Sequence, residues 1–171
     1  MILEDVLPLV TAFDSANRTG RPIPQLKGTL DLIFAREPAP GGQNVRPYEI
    51  FDGRRLVPIR DYLRKHPRPD LVRLEERMNR LSAGPYGNRA GDILLLARAC
   101  NNLPLQDRYY FAALTHYTWH GSACERDGHI PFILAQTGGS GTRLRTLMNK
   151  CGGESPSEMS LTPLVRALFT N

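Results

Sequence analysis

Three of the chain's four histidines lie in one short segment, THYTWHGSACERDGHIPFIL, which runs from residue 115 to residue 134. The same segment holds the only tryptophan and one of the three cysteines. Neutral imidazole is a preferred ligand of zinc and similar ions near pH 7. Gly121 and Ser122 follow His120 directly, and small residues let the backbone approach a ligand closely. The segment therefore indicates a functional site, with His120 as the leading candidate ligand.

The other two histidines of this segment leave two interpretations open. A self-contained metal site would use His116, His120 and His129, with Asp127 or Glu125 assisting. In the plainer interpretation, His116 and His129 are packed or hydrogen-bonded side chains with no ligand role, and we prefer it for these two. The spacing of the histidines does not match a structural zinc finger.

Nucleophilic side chains give weaker indications. Ser122 lacks the G-x-S-x-G elbow, and a serine next to His120 in sequence seldom faces it as nucleophile and base. The three cysteines form no C-x-x-C pair and cannot all be disulfide-bonded within the chain. We therefore expect buried thiols or a reducing compartment for Cys100, Cys124 and Cys151.

Length and composition are typical of a folded globular domain. The 171 residues are 41% hydrophobic and 23% charged, which predicts a single domain over residues 1–171. No apolar run approaches the roughly 20 residues of a membrane span, and the N-terminus has no basic region of a secretory signal. The net charge is +5, but the arginines are scattered among acids. We therefore expect no specific nucleic-acid partner.

Hydrophobic periodicity predicts helices and strands that alternate in the second half of the chain. This alternation indicates an α/β class with layers of helices on a sheet. We expect helices over residues 2–16, 58–65, 70–81, 143–149 and 161–169. We expect strands over residues 28–36, 48–51 and 93–97, and apolar runs over residues 109–114 and 130–135.

Four pieces of the chain occur in a distinctive order. They are GDILLL at residues 91–96, His120-Gly121-Ser122, DGHIPFIL at residues 127–134 and LTPLV at residues 161–165. In this order they resemble the C-terminal part of the alkaline phosphatase superfamily, closest to its type I phosphodiesterase and nucleotide pyrophosphatase branch. The resemblance covers chiefly residues 82–170.

This resemblance implies a fold, a chemistry and a ligand. The implied fold is a partial alkaline-phosphatase-like layered α/β fold, with a mixed sheet and flanking helices. The implied activity is hydrolysis of a phosphate ester by two divalent metals, usually zinc, which activate a serine or threonine nucleophile for in-line displacement. His120 matches the family's C-terminal histidine that ligates one of the metals. No role is carried over to Asp127 or His129.

The chain departs from the family pattern in what it lacks. The nucleophile motif, the Asp-x-x-x-His pair and the Asp-His-Gly motif are all absent from the sequence. We therefore expect the C-terminal portion of a larger phosphodiesterase or pyrophosphatase domain, which associates with an upstream-encoded portion or with itself. The alternative is a catalytically inactive binding or interaction module that retains a remnant of the fold. Family members are often exported, so the localisation stays open.

Overall fold

The computed structural model describes residues 5–37, 46–84, 87–98, 123–129, 131–153, 156 and 160–169. The chain forms two compact units, residues 1–129 and residues 130–171. The first unit contains a four-stranded antiparallel sheet with helices on it, and the second contains a pair of helices. The expected architecture of helices on a sheet is therefore confirmed at this level, but the expected mixed sheet is wrong for the described strands, because all of their pairings are antiparallel.

The sheet is built around β1 (Leu30–Ala35), and its strand order is β3-β2-β1-β4. β2 (Glu49–Phe51) and β3 (Leu56–Pro58) form a hairpin, and β4 (Ile93–Ala97) pairs with the other side of β1. β1 and β2 confirm the two strands expected near them. β3 was not anticipated, because the sequence was interpreted as entering a helix at residue 58.

Both faces of β1 are buried, which explains why its sequence is almost continuously apolar. Leu32 and Phe34 face one core cluster, and Ile33 and Ala35 face the other. Leu30 breaks this alternation, since it lies with the Ile33 cluster. The register with β4 shifts between Leu30 and Leu32, and such an irregularity moves a side chain to the opposite face.

Helix α1 (Leu7–Thr19) covers the Ile33 face of the sheet. The helix begins later than residue 2, and Pro8 stands in its first turn, where no backbone N–H is required. The Asn17 side chain holds the helix to β1: its amide donates to the Leu30 carbonyl at 3.0 Å and accepts from the Leu30 N–H at 2.9 Å.

Helices α2 (Ile59–Lys65) and α3 (Leu74–Leu81) contribute to the core on the opposite face. We expected α3 to begin at Asp70 with this residue as its cap. That expectation is wrong, because the Asp70 carboxylate accepts hydrogen bonds from Arg68 and Leu71 pairs with a distant segment. The helix begins four residues later as a result.

β4 occupies one edge of the sheet within the part of the chain that the structure describes. We expected a strand buried on both faces, since its sequence is ILLLA. The strand itself is confirmed, but its side chains are half-exposed, and Leu95 retains 38% of its exposure. The strand that is buried on both faces is β1, which lies between β2 and β4 in the sheet.

The second unit contains α5 (Gly141–Gly152) and α6 (Leu161–Phe169), which contact each other. Leu144 and Leu164 are their buried residues, and both helices confirm the predicted ones. The apolar run at residues 130–135 is not a strand where it is described: residues 131–136 have no regular structure, and Ile133 is 85% exposed.

No helix among the described residues is long and apolar enough to cross a membrane, in agreement with the sequence.

Candidate functional site

The leading candidate, His120, lies outside the described residues, and so does His116. The structure does describe the stretch that follows them, residues 123–129. His129 is in this stretch and is largely exposed. The side chain of Asp127 lies outside the described part. The site is therefore best characterised through the elements that hold its C-terminal flank.

This flank is attached to the segment before α3 by a short antiparallel pairing. Leu71 and Cys124 form a bridge, in which the Val72 N–H donates to the Ala123 carbonyl at 2.9 Å. The Glu125 N–H donates to the carbonyl of Asp70 at 3.0 Å. Residues that are 53 positions apart in sequence are thus brought side by side. The pairing begins one residue after the His120-Gly121-Ser122 motif.

Cys124 anchors the flank from its side chain as well. It is 1% exposed, belongs to the core cluster on this face of the sheet and is disulfide-bonded. The expectation of a buried thiol at this position is therefore wrong, because the sulfur is oxidised. Cys151, in the second unit, is a free and partly exposed thiol. The spacing of the cysteines in the sequence does not show which of them lie close enough in space to form a disulfide.

A single helical turn, α4 (Glu125–Gly128), continues from this anchor. The Gly128 N–H donates to the Cys124 carbonyl at 2.7 Å and the His129 N–H to the Glu125 carbonyl at 2.9 Å. The Nδ1 atom of His129 lies 3.8 Å from a carboxylate oxygen of Glu125, and the two side chains are 65% and 62% exposed. A pair this exposed contributes little to stability.

A cluster of three charges lies beside the anchored flank. The Arg68 guanidinium donates to both oxygens of Asp31, at 2.9 and 2.7 Å, and to both oxygens of Asp70, at 2.9 and 2.6 Å. All three side chains are about four-fifths buried, with 18 to 22% of their surface exposed. The hydrogen bonds that Arg68 donates hold the pKa of Asp70 below its usual value, and the acceptance of these bonds by Asp70 and Asp31 raises the pKa of Arg68. The cluster ties β1 to the strand-like segment that carries the flank.

A second cluster holds the start of β4. The Arg36 guanidinium, which is almost fully buried, donates to Asp92 at 3.2 Å, to the Gly87 carbonyl at 2.9 Å and to the Ala90 carbonyl. It also lies over the Tyr48 ring, 4.9 Å from the ring centroid. Burial raises the pKa of the Tyr48 hydroxyl, which donates to the carbonyl of Gly91.

Sequence reasoning missed both clusters. Arg68 and Arg36 are two among many scattered arginines in the sequence, and that scattering only argues against a nucleic-acid partner. For Arg68, a usable signal was the pattern of an aspartate two residues away and a lone aspartate in an otherwise apolar strand. For Arg36 the partners are mainly carbonyl groups, which no residue pattern reveals.

The part of the chain that the structure describes has no group of three histidine, cysteine, aspartate or glutamate side chains able to hold a metal ion. An open groove lies between the start of α2 and α3, and its charged side chains are paired with each other, as in Arg60 with Glu75 and Arg80 with Glu76. The predicted zinc ligand therefore stays a prediction, and the groove does not replace it.

Comparisons of the chain with protein-family models, with curated proteins and with solved structures give no match.

Proposed function

We propose that the chain is the C-terminal portion of a metal-dependent phosphodiesterase or pyrophosphatase of alkaline-phosphatase-like fold, and that it contributes His120 to a two-metal site. The motif order supports the proposal from the sequence. In the structure, the supporting observation is the anchoring of residues 123–125 on Leu71 by a backbone bridge, close after the His120 motif.

Such anchoring has a clear physical purpose. A metal-ligating side chain must be held within about 0.5 Å of its working position, and packed supporting residues provide that precision better than an unsupported loop does. Here the support consists of the buried and disulfide-bonded Cys124, the bridge to Leu71 and the neighbouring Arg68 cluster.

The family's other ligand motifs are absent from the sequence, so in this proposal the remaining ligands would come from an upstream-encoded portion. Bound zinc ions would supply Lewis-acid stabilisation of the phosphoryl oxygens and activation of the nucleophile. The contribution of this chain is narrower: the imidazole of His120, positioned from the flank described above. The half-exposed edge at β4 offers a place where an upstream strand would extend the sheet.

A paired assay tests this proposal. Zinc content and hydrolysis of bis-(p-nitrophenyl) phosphate are measured for the 171-residue chain and for a version extended by the upstream-encoded portion. We expect hydrolysis only in the extended version, with about a hundredfold loss or more in His120→Ala, as for a missing metal ligand. The control is His66→Ala, since His66 is an exposed histidine that packs on the Tyr62 ring.

The other outcomes identify the competing functions. Hydrolysis by the chain alone, with equal losses in His116→Ala and His120→Ala, would indicate the self-contained metal site. Absence of both zinc and hydrolysis in the extended version would favour the inactive binding module. Equal activity of His120→Ala and wild type in the extended version would remove His120 from the site.

A further inference from the structure

Three described arginines are not exposed: Arg36 is buried, and Arg68 and Arg77 are partly buried. The first two are surrounded by carboxylate and carbonyl acceptors. The Arg77 side chain makes neither a hydrogen bond nor an ion pair with any residue that the structure describes. A partly buried guanidinium has lost some of its hydration. Its positive charge is therefore incompletely compensated when no other group pairs with it.

The carboxylates nearest to Arg77 along α3 are engaged by other arginines. Glu76 accepts from Arg80 and lies 3.7 Å from Arg73, while Glu75 pairs with Arg60 at 3.0 Å. The positive charge of Arg77 is therefore not compensated by its own helix.

Arg77 is also fixed in position by a close backbone contact with α4. A Cβ atom built on Gly128 would lie 2.7 Å from the Nη2 atom of Arg77, so the guanidinium rests directly against the glycine. Gly128 lies in the single turn that follows the Cys124 anchor. Arg77, which has no side-chain partner among the described residues, is thus held beside the flank of the His120 motif, on the same unit of the chain.

We propose that Arg77 is an anion-binding residue that takes a phosphate-type oxyanion, and that it holds a phosphoryl group of the ester substrate. The substrate assignment rests on the function proposed above. Guanidinium donates up to five hydrogen bonds in a planar fork that matches phosphate oxygens, and partial burial strengthens the attraction. The contact with Gly128 limits the rotation of the fork, which reduces the entropy lost on binding.

The test uses inorganic phosphate and the complete 171-residue chain without zinc. Binding is followed at constant ionic strength by calorimetry and by the NMR signals of the arginine side chains. We expect saturable binding that Arg77→Gln weakens at least about tenfold, since a charge-assisted bidentate contact is lost. Arg80→Gln is the matched control on the same helix, because Arg80 is exposed and already paired with Glu76, and it should leave the affinity within about twofold.

Gly128→Ala is a second variant that keeps the charge. Its added methyl group would displace the flexible end of Arg77, so phosphate binding should weaken although the arginine is present. Thermal unfolding of all three variants verifies that they remain folded. Unchanged affinity in both Arg77→Gln and Gly128→Ala, or no saturable phosphate binding by the wild type, would overturn the proposal.

The results distinguish a failure of the anion site at Arg77 from a failure of the proposed hydrolase function. Phosphate binding that depends on Arg77, together with an inactive extended enzyme, would leave the anion site standing and remove the hydrolase. His120-dependent hydrolysis without phosphate binding at Arg77 would remove only the anion site.

Discussion

Arg36 and Arg68 are enclosed by acceptors, so removal of either would leave those acceptors facing each other or without a donor. Both arginines connect segments that are distant in sequence: Arg36 joins the end of β1 to the start of β4, and Arg68 joins β1 to the segment before α3. At the level of single residues, they are polar side chains that hold distant segments of the first unit together.

Replacement of Arg36 should be far more harmful than replacement of an exposed arginine. We expect Arg36→Ala to lower the free energy of unfolding by about 3 kcal/mol, because the carboxylate and carbonyl partners lose a buried charged donor. Arg18→Ala is the control: Arg18 pairs with Asp14 on the exposed side of α1 and should cost no more than about 0.5 kcal/mol. Urea unfolding of the two variants measures the difference, and equal losses would contradict the assignment.

The Arg68 cluster should make stability depend on acid pH. The pKa of Asp70 is lower in the folded chain than in the unfolded chain, chiefly through hydrogen bonds from Arg68. Its contribution is therefore fully present above the unfolded pKa, near 4, and disappears as the pH falls through the folded value. Between pH 6 and pH 3 the wild type should lose more stability than Asp70→Asn. The urea midpoints of both proteins measure this, and parallel pH profiles would argue against a linked Asp70.

At the level of elements, one amide makes the side-chain hydrogen bonds that join α1 to β1. The Asn17 side chain acts as a neighbouring strand would, accepting from the N–H of Leu30 and donating to its carbonyl. Asn17→Ala should lower the free energy of unfolding by about 2 kcal/mol, because both partially buried backbone groups lose their partner. Thermal unfolding can be compared with Ser15→Ala, since the Ser15 side chain is not the partner of any such pair. A change below about 0.5 kcal/mol would show that water replaces the amide.

Most helices and strands were predictable from the sequence, whereas their environment was not. β1, β2 and α6 follow from local periodicity, and local periodicity is what a sequence displays. The edge position of β4 is a tertiary property, and an apolar run looks the same at an edge and in a centre. The sequence places the start of α3 too early, because the Asp70 carboxylate accepts hydrogen bonds from Arg68 and does not cap the helix.

The sequence reveals the residue types of the candidate site but not their neighbours in space. The cluster of histidines marks the segment, but nothing in the sequence indicates that Cys124 would be oxidised or that its neighbour would be Leu71. The sequence by itself indicates a solvated face at Arg77, since its helix carries a balanced set of charges. That Arg77 has no partner among the described residues follows only from the contacts of the neighbouring side chains, since Glu75 and Glu76 pair with other arginines.

For the whole molecule, the edge that β4 forms within the described part of the chain predicts association. Ile93–Ala97 contains no charge and no proline, the features that commonly protect an edge strand, whereas the opposite edge ends in Pro58. We expect the 171-residue chain to self-associate as its concentration rises, and Leu95→Lys to reduce this association with a stability change within about 0.5 kcal/mol, because Leu95 is exposed.

Sedimentation velocity over a range of concentrations measures this association. The control is Ile133→Lys, which places the same charge on an exposed residue of the second unit. A chain that stays monomeric throughout would contradict the prediction, and so would equal effects of the two lysines.

The isolated bridge between Leu71 and Cys124 also has a consequence for the time scale of opening. Two described backbone hydrogen bonds flank it, from the N–H groups of Val72 and Glu125, whereas five residue pairs join β1 to β4. Local opening of a small hydrogen-bonded unit occurs more often than unfolding of the whole domain. Deuterium should therefore enter the amides of Val72 and Glu125 well before that of Phe34, in a partial opening that leaves the sheet intact.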